Sequence, residues 1–408
     1  MIPKLDVYIE HAGLTSSSTI KPGLEAIRHA MQALGNPQDQ LRAIHVAGTN
    51  GKGSTVAFME SILQTAGVTT GVFTSPAMID IHDQIRVNGR NATPAQLKDS
   101  FRLISEAGLD GCLTDFELLT AAAFVTFAEA KPDILLVECG LGGRYDSTNV
   151  LNPAVTVITS IAKEHTEFLG DTLESIAWHK AGIFRSGIPA VVGDLPREAM
   201  AEAEKIAAEG DSPLYRYGND FSMEGDRFCG IRTIDRLNRK LKGPHQAVNA
   251  AMAIEAVHLA YPDIEEEAVR TGIGEAQLSF RFEEAAPGVF FDGAHNPAAA
   301  KRLRETIEQQ FPGETVDFVI GMMANKDIEA VLAELIPVAA SFTFVDFDEP
   351  GAAPAGTLYE MCQFGNKQVT DHLDASILLR ENPGRKKIVS GSLYLLNSLK
   401  SHILSMEL

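Results

Sequence analysis

One stretch constrains the fold of this chain more than any other: residues 44–55, which read IHVAGTNGKGST. It opens with a short apolar run that is typical of a buried strand and passes through three glycines and a lysine. It then enters an apolar-periodic segment typical of a helix, with Val56, Met59, Ile62 and Leu63. A strand, a glycine-rich turn with a lysine and a hydroxyl, and a helix form an arrangement that binds nucleotide phosphates. The stretch therefore predicts a nucleotide site in an α/β fold.

Each part of this loop has a physical role. The glycines allow unusual dihedrals and let the backbone approach an anion closely. Lys52 adds a positive charge, and the free N–H groups at the helix start point towards the phosphates. Ser54 or Thr55 offers a hydroxyl to a magnesium ion. Only two residues separate Gly48 from Gly51-Lys52, whereas the common phosphate loop has four. A tight strand-to-helix turn that contains a lysine is the alternative interpretation.

Composition narrows the classes of protein to consider. A chain of 408 residues predicts two or more domains. The formal net charge of -19 argues against non-specific binding of nucleic acid. We expect no membrane span, and the first residues do not resemble a signal peptide, so we expect a cytoplasmic protein. The four cysteines are scattered without paired spacing and are interpreted as reduced thiols.

Strands and helices alternate along the chain, which predicts a mostly parallel, doubly wound sheet. In the first part, the predicted strands are 44–47, 70–75, 134–138, 155–160 and 191–192, and the predicted helices are 24–34, 55–66, 94–107, 116–130, 172–181 and 247–260. A small β-rich excursion is expected within 210–245. We place a domain boundary where the pattern weakens and predict an ATP-binding domain at 1–278 and a smaller, Rossmann-like α/β domain at 279–408.

The second part repeats this alternation. It predicts strands at 289–291, 316–322, 341–346 and 387–390, and helices at 297–311, 327–340, 356–364, 373–381 and 392–405. Asn296 is a good N-cap, and Pro297 suits the first position of its helix.

Four polar residues outside the loop have competing interpretations. Glu138 ends a buried strand, where an acid in a phosphate-loop protein serves the metal or the attacking group, or merely ends the strand. His165 follows the next strand and is a candidate metal ligand, although a lone histidine is more often structural. Lys180, near a helix end, is most simply a solvated charge, and Asn249, in the first turn of a helix, is most simply a cap.

Five segments together resemble the signatures of the folylpolyglutamate synthase / dihydrofolate synthase family, a member of the wider group of Mur-type ATP-dependent amide ligases. They are His45 to Thr55, Glu138 to Asn149 (ECGLGGRYDSTN), Ile158 to Phe184, Lys242 to Ala251 (KGPHQAVNAA) and Asp292 to Pro297 (DGAHNP). The resemblance covers nearly the whole chain in the family's order. DGAHNP and the GLGGR-D-TN string are more specific than the phosphate loop.

The resemblance implies a reaction. ATP phosphorylates a carboxylate of the acceptor, either the γ-carboxylate of a folate glutamate tail or the carboxylate of dihydropteroate. The α-amine of free L-glutamate attacks the acyl phosphate, and the tetrahedral intermediate collapses to an amide and releases phosphate. Because several anionic partners meet in one site, metal ions and a lysine have to offset their charge. ATP is expected in a cleft between the domains, which close for reaction.

The resemblance also assigns residues. Lys52 matches the partner of the β- and γ-phosphates, and Ser54 and Glu138 match ligands of a first magnesium ion. His165 matches a ligand of a second magnesium ion shared with Glu138. Lys180 matches a lysine that is carbamylated in the family, so that it becomes an anionic group bridging the metals. The catalytic set is then Lys52, His165 and Lys180, and the metal set is Ser54, Glu138, His165 and Lys180 as its carbamate.

The ATP-binding set implied by the family has two parts, with Arg281 towards the phosphates and Asp292 towards the ribose. Its members are Gly48, Thr49, Asn50, Gly51, Lys52, Gly53, Ser54, Thr55, Asn249, Arg281, Asp292 and His295. The implied cofactors are ATP and two Mg²⁺ ions, with a monovalent cation as an optional addition. The implied partners are small molecules, namely ATP, L-glutamate and folate or dihydropteroate, with no nucleic acid or membrane. A monomer is expected.

Three positions depart from the family pattern. Where members commonly read Ser-Pro-His-Leu, an aromatic and Arg-Glu-Arg, the run Ser75 to Gln84 reads SPAMIDIHDQ. The usual Pro-Gly-Arg is Ser279-Phe280-Arg281, and Glu164 stands where Asp is typical. The first departure leaves the acceptor open, so the alternatives are a related ligase with a non-folate acceptor or a phosphate-loop NTPase without ligase activity. A degenerate, non-catalytic binding protein is disfavoured by the joint presence of the metal set.

Overall fold

The structure is a computed structural model whose described residues are 2, 4–19, 21–370 and 384–406. They divide into two compact units. Unit 1 comprises residues 1–240 and 247–276, and unit 2 comprises residues 241–246 and 277–408. The chain thus passes from the first unit to the second at 276–277, and the segment 241–246 groups with the second unit, which the sequence did not predict.

Unit 1 is built on an eight-stranded sheet with the strand order β4-β3-β2-β5-β1-β6-β7-β8 in the described residues. Its strands are β1 Ala43–Ala47, β2 Thr70–Phe73, β3 Ile85–Val87, β4 Arg90–Asn91, β5 Ile134–Glu138, β6 Val155–Ile158, β7 Ala190–Val192 and β8 Leu214–Arg216. The neighbouring pairs along β2-β5-β1-β6-β7-β8 are parallel. Strands β3 and β4 extend the sheet beyond β2 with antiparallel pairs. A separate antiparallel sheet contains β9 Ser222–Glu224, β10 Arg227–Cys229 and β11 Thr233–Ile234.

Helices flank this sheet in sequence order. They are α1 Leu5–Ala12, α2 Glu25–Ala33, α3 Lys52–Thr65, α4 Ile81–Gln84, α5 Pro94–Glu106, α6 Asp115–Ala130, α7 Thr166–Leu169, α8 Leu173–Lys180, α9 Arg197–Glu209, α10 His245–Ala260 and α11 Glu266–Glu275. Short 3-10 turns cover Pro37–Gln40 and Ala181–Ile183. Local sequence sets several boundaries: Thr93 and Thr114 each form a capping box with a residue three positions later, which satisfies free N–H groups at the helix start.

Buried apolar residues cover the unit 1 sheet with separate clusters. One cluster joins residues of α1, α2, α5 and α6 to Phe73, Leu135 and Val137 of the strands. Another joins residues of α8 and α9 to Ile158 and Val192. All five residues of β1 are buried, as expected for a central parallel strand with helices on both faces.

The register of the central strands aligns their carboxyl ends. Val46 of β1 pairs with Glu138 of β5, and Ala47 pairs with Ile158 of β6. Because these strands are parallel, the segments that follow them leave from the same edge of the sheet. The phosphate loop, Glu138 and the segment that leads to His165 therefore meet at one edge.

Unit 2 has its own six-stranded sheet, with the order β12-β13-β17-β14-β15-β16 among the described residues. Its strands are β12 Glu283–Ala286, β13 Val289–Asp292, β14 Val316–Ile320, β15 Ala339–Val345, β16 Lys367–Thr370 and β17 Lys387–Ser390. Its helices are α12 Pro297–Gln310, α13 Ile328–Leu335, α14 Ala355–Met361 and α15 Leu393–Met406, with a 3-10 turn at Ile336–Val338. Only the β12–β13 pair is antiparallel within the described ranges.

The predicted fold class is confirmed, since both units are α/β and their central strands run parallel. The predicted helix 327–340 is wrong at its end: α13 stops at Leu335, and β15 already begins at Ala339. Pro337 explains the early stop, because proline removes a helix hydrogen bond. Helices α1, α4, α7, α9 and α11 and strands β12 and β16 were not predicted, and the predicted helix 373–381 lies outside the described residues. No helix in the described ranges is both long and apolar enough to cross a bilayer.

Candidate active site

The phosphate loop connects β1 to α3 through two glycines with positive φ angles. Gly48 has φ 151° and Gly51 has φ 88°. A Cβ atom on Gly48 would lie 1.9 Å from the Thr159 hydroxyl, and one on Gly51 would lie 2.6 Å from Asn249 Oδ1. Only glycine satisfies both the dihedral and the close approach at these positions. The loop is therefore closely packed on its neighbours.

The segment that follows β6 braces this loop with hydrogen bonds. Thr49 N donates to Ser160 O (2.8 Å), and Asn50 N donates to Ser160 Oγ (2.9 Å). Thr159 Oγ1 donates to Asn50 O (2.7 Å), and the Thr49 hydroxyl bonds to the backbone of Ala162. The loop conformation is thus fixed by side chains that the loop motif does not contain. Residues 159–162 lie within the string Ile158 to Phe184, but the sequence does not indicate that they contact the loop.

Lys52 and Glu138 lie together at the carboxyl edge of the sheet. Lys52 Nζ donates to Gly48 O (2.9 Å) and Thr49 O (3.1 Å), and it lies 3.9 Å from Glu138 Oε1. Glu138 ends β5, as predicted, and is only 4% exposed. A buried carboxylate needs compensating charge, and the Lys52 ammonium supplies it in this structure.

Lys180 is the most unusual charged residue of the site. It ends α8, it is 3% exposed, and its Nζ donates to Gly48 O at 2.8 Å. Burial, followed by the nearby Lys52 ammonium, lowers the pKa of Lys180 to about 7. The interpretation of Lys180 as a solvated surface charge is therefore wrong, because the helix directs the side chain into the phosphate loop.

The residues at this edge fit a divalent cation as a set of oxygen ligands. Among the described residues, no three His, Cys, Asp or Glu side chains form a metal-binding cluster. Magnesium instead takes one or two carboxylates together with substrate phosphates and water. Glu138 supplies a carboxylate, and Ser54 is buried on the first turn of α3. The buried Thr55 hydroxyl has no hydrogen-bond partner among the residues that the structure describes. Lys180 fits this set only once it is an anion.

His165 lies at the start of α7 in the left-handed region, with φ 50°. Its side chain is 39% exposed, and its Nε2 is 3.6 Å from Glu164 Oε1. A non-glycine residue in this conformation is unusual and often accompanies a functional constraint. Its predicted role as a ligand shared with Glu138 stays a prediction.

The remaining members of the predicted ATP set fall in both units. In unit 1, Asn249 is 5% exposed and its Oδ1 lies against Gly51, so it contacts the phosphate loop. Its interpretation as a simple helix cap is wrong, because α10 already begins at His245.

In unit 2, Arg281, Asp292 and His295 lie together around the end of β13. A Cβ atom on Gly293 would lie 2.6 Å from Arg281 Nη1, so this guanidinium packs on the backbone of the Asp292–Pro297 turn. Asp292 accepts backbone N–H groups from Phe282 and Ala294, each at 3.0 Å, and His295 Nδ1 lies 2.8 Å from Gly293 O. Burial raises the pKa of the Asp292 carboxyl, although Arg281 opposes that shift.

Two features of the site were missed in the sequence. Phe280 and Phe282, on either side of Arg281, both have positive φ, 61° and 51°. Such strain in non-glycine residues persists only where the surrounding structure enforces it. The departure at Ser279-Phe280-Arg281 from the family's glycine-containing turn was the available signal.

The second missed feature is a buried polar network beneath the glycine-rich segment after β5. His45 Nε2 lies 2.9 Å from Thr148 Oγ1 and 3.1 Å from Cys139 Sγ. Asp146 accepts N–H groups from Leu141 (2.7 Å) and Thr148 (3.0 Å). Burial lowers the pKa of His45 to about 3 and raises the pKa of Asp146. The network therefore holds a neutral imidazole and fixes the loop next to Glu138.

The segment Ser75 to Gln84, which departs from the family pattern, is anchored to α1. Asp80 caps α4 through His82 N (2.9 Å) and pairs with Lys4 Nζ at 2.6 Å. The Tyr8 hydroxyl lies 2.9 Å from His82 Nε2. Burial raises the pKa of the Asp83 carboxyl. In place of the arginines typical of the family, this segment presents carboxyl groups with local partners.

Two family models match the chain. The Mur ligase middle domain matches residues 46–257, and the C-terminal domain of dihydrofolate synthetase matches residues 277–402. The dihydrofolate synthase/folylpolyglutamate synthase of Bacillus subtilis is 37% identical over 94% of this chain and 95% of its own length.

Solved structures agree with these matches. E. coli FolC in complex with DHPP and ADP has a TM-score of 0.91 and 32% identity, covering 99% of this chain and 98% of that one. A bifunctional folylpolyglutamate synthase/dihydrofolate synthase with Mn, AMPPNP and L-glutamate bound has a TM-score of 0.86 and 31% identity, with the same coverage.

The fold and the phosphate-loop site define an ATP-dependent ligase of the Mur type. Within that class, the chain belongs to the folylpolyglutamate synthase / dihydrofolate synthase family. The family predicted from the sequence motifs is thereby confirmed, and so is the predicted class of enzyme.

Proposed function

We propose that this protein joins L-glutamate to a folate-type carboxylate, at the expense of ATP and through an acyl phosphate. The observation that carries the proposal is the convergence of Lys52, Glu138 and buried Lys180 on the phosphate loop. Relatives crystallised with a nucleotide and with DHPP or L-glutamate support this choice of substrates. We further propose a cytoplasmic monomer.

The Lys52 ammonium is positioned for the β- and γ-phosphates of ATP. It is held at the loop by carbonyl groups, so it stabilises negative charge without prior rearrangement. The N–H groups at the start of α3 and the glycines of the loop hold the phosphates in the same place. The role of these residues is to direct the γ-phosphate towards the acceptor carboxylate.

Lys180 acts as a carbamate in this proposal. Its amine is half neutral near pH 7 and therefore attacks CO₂: an N–C bond forms, one proton is released, and a carbamate anion results. The product places an anion where a buried ammonium would repel Lys52. Glu138, Ser54, His165 and the Lys180 carbamate are proposed to hold two Mg²⁺ ions. When bound, these ions offset the phosphate charge and orient the reacting oxygens.

Asn249 next to the loop, and Arg281, Asp292 and His295 in unit 2, are proposed as further ATP contacts. Arg281 is assigned to the phosphates, because a guanidinium binds oxyanions through two donors. Asp292 is assigned to the ribose hydroxyls as an acceptor. A monovalent cation is an optional addition for which no residue is assigned.

A ligation assay tests the proposal. Purified protein receives ATP, Mg²⁺ and radiolabelled L-glutamate with dihydropteroate, tetrahydrofolate or a UDP-linked acid in separate reactions. We expect labelled product with a pteroate or folate acceptor only. Incorporation with the UDP-linked acid alone would instead favour the related ligase with a non-folate acceptor. The altered Ser75 to Gln84 segment is the reason to test this alternative. ATP hydrolysis without incorporation for any acceptor would refute ligase activity.

A further inference from the structure

Unit 1 contains a cavity of about 400 Å³ that the proposed reaction does not use. Its walls come from α2, the Pro37–Gln40 turn, the segment 149–152 and Arg185. Two arginines, Arg28 and Arg185, line it together with the amide side chains of Gln32, Asn36 and Asn152, and none of its described lining residues is acidic. This composition is unusual in a chain with 54 acidic and 35 basic residues, because an arginine there would readily find a carboxylate.

The charges of the two arginines are not neutralised. In the described part of the chain, Arg28 has no ion pair. Within the described residues, Arg185 donates to neutral oxygens only: Asn149 Oδ1 at 2.6 Å, Asn149 O at 3.2 Å, Phe184 O at 3.0 Å and Gly182 O at 3.3 Å. Burial, and after it the nearby Arg28 guanidinium, lowers the pKa of Arg185. Two like charges beside one cavity repel each other unless an anion lies between them.

We propose that this cavity is a second ligand site, which binds a small molecule through a phosphate or carboxylate group held by Arg28 and Arg185. Guanidinium groups match both oxyanions, because their donors form a planar fork. The volume is within the usual range for small-molecule sites, roughly 300 to 1,000 Å³. The amide side chains of Gln32, Asn36 and Asn152 supply further hydrogen-bonding groups on the walls.

The cavity is connected through Asn149 to the backbone of Arg144 and to the segment that follows Lys180. Asn149 Oδ1 accepts a hydrogen bond from the Arg185 guanidinium, and Asn149 Nδ2 donates to Arg144 O (3.0 Å) and Gly182 O (3.1 Å). Gly182 follows Lys180 by two residues in the sequence. An anion that draws Arg185 into the cavity therefore competes with Asn149 for the same guanidinium. Arg144 in turn stacks on Trp178, the single tryptophan of the chain, at 3.9 Å.

Isothermal titration of the full chain tests the proposal. AMPPNP and Mg²⁺ are kept saturating so that the phosphate loop is occupied, and phosphate and citrate are titrated in separate arms. Arg28→Gln removes one of the two guanidiniums from an exposed helix position, so we expect a folded protein that binds the anion about tenfold more weakly or worse. Arg102→Gln, an exposed arginine on α5, removes the same charge elsewhere and should bind like the unaltered chain.

The two arms distinguish the source of the oxyanion, since a heat signal with phosphate alone or with citrate alone identifies the class of ligand. Quenching or enhancement of Trp178 fluorescence on the same titration would support the connection, because it would show that the surroundings of α8 respond to the anion. Equal affinity in Arg28→Gln and the unaltered chain would overturn the proposal. Absence of binding in both arms by the unaltered chain would overturn it as well. Neither result bears on ligation of glutamate, so the two proposals fail independently.

Discussion

The two units hold their candidate ATP residues by different means. In unit 1, Glu138 ends the buried parallel strand β5, Lys52 begins α3 directly after the phosphate loop, and Lys180 projects from the end of α8 onto that loop. In unit 2, Arg281 lies between two residues with positive φ, and Asp292 is held by two backbone N–H groups. We infer that unit 1 provides the charged groups of the reaction and that unit 2 provides positioning.

The difference also concerns charge. In the unit 1 site, two lysine side chains donate to one carbonyl, Gly48 O, and burial, followed by the Lys52 charge, lowers the pKa of Lys180. In the unit 2 site, burial raises the pKa of the Asp292 carboxyl, and the opposite charge of Arg281 counteracts that rise. Substitutions in unit 1 should therefore reduce the rate of the chemical step, and those in unit 2 should weaken binding of the nucleotide.

The largest effect is expected for Lys180→Ala. Loss of the proposed carbamate should reduce kcat about a thousandfold, because a charge-stabilising group of the transition state is lost. Formate or acetate should restore part of the activity by replacing the missing carboxylate. Lys98→Ala, at an exposed position on α5, is the matched control and should keep its activity. Full activity of Lys180→Ala would contradict the assigned role.

Lys52→Gln should have the next largest effect. The amide cannot supply positive charge to the phosphates, so we expect kcat/KM for ATP to fall about a hundredfold. Steady-state kinetics with varied ATP would measure this loss. Lys205→Gln, on the exposed surface of α9, removes the same charge and should change little. A change in KM alone would show that Lys52 serves binding only, which would weaken the contrast between the units.

Asp292→Asn tests the positioning role inferred for unit 2. The amide keeps one acceptor but turns an NH₂ group towards a backbone N–H, which costs about 1–3 kcal/mol when buried. We expect a lower Tm and a KM for ATP raised about tenfold, with kcat nearly unchanged. Asp348→Asn, at an exposed position in the same unit, controls for charge. A loss confined to kcat would contradict a positioning role.

The smallest effect is a dependence on pH. A lysine with its pKa lowered to about 7 is mostly neutral above pH 7 and becomes protonated as the pH falls through 7. After CO₂ is stripped from the protein, reactivation by CO₂ should rise up to pH 7 and then increase only about twofold to pH 9. An ordinary lysine would give a rise of about a hundredfold over the same interval. Rates of reactivation at fixed dissolved CO₂ distinguish the two.

Stability should follow the same group. Because the unfolded chain binds a proton on Lys180 up to its ordinary pKa of 10.5 while the folded chain does not above about 7, the unfolded state holds more protons in between. The contribution of this residue to the free energy of unfolding therefore increases as pH rises from 7 towards 10, which means that the folded state becomes more stable.

Much of the fold was predictable because the signals were local. Thr93-Pro94 and Asn296-Pro297 each place a capping side chain and a proline at the start of a helix, and both helices begin there. Continuous apolar runs bounded by glycine or acid gave β1 and β5. The limits of α13 were misjudged, because its apolar pattern continues past Leu335 while Pro337 ends the hydrogen-bonded helix.

The candidate site was predictable in membership but not in arrangement. The phosphate loop predicted a nucleotide site, and the family resemblance implied that Glu138, Lys180 and Asp292 belong to it. Nothing in the order of residues shows that Thr159 and Ser160 brace the loop, because those contacts span about a hundred residues of sequence. The proximity of Arg28 and Arg185 was likewise not predictable from the sequence, because these distant residues come to one cavity only through the packing around α2.

The sequence by itself determined the fold class, the phosphate loop and the family, because strand, turn and helix signals depend on neighbouring residues and their side-chain chemistry. The tertiary structure alone decided that Lys180 is buried against Gly48 and has a pKa near 7. It also decided that Asn249 touches Gly51 and that two arginines share one cavity. The physical reason is that burial and electrostatic environment arise from residues far apart in sequence, and the folded chain brings them together.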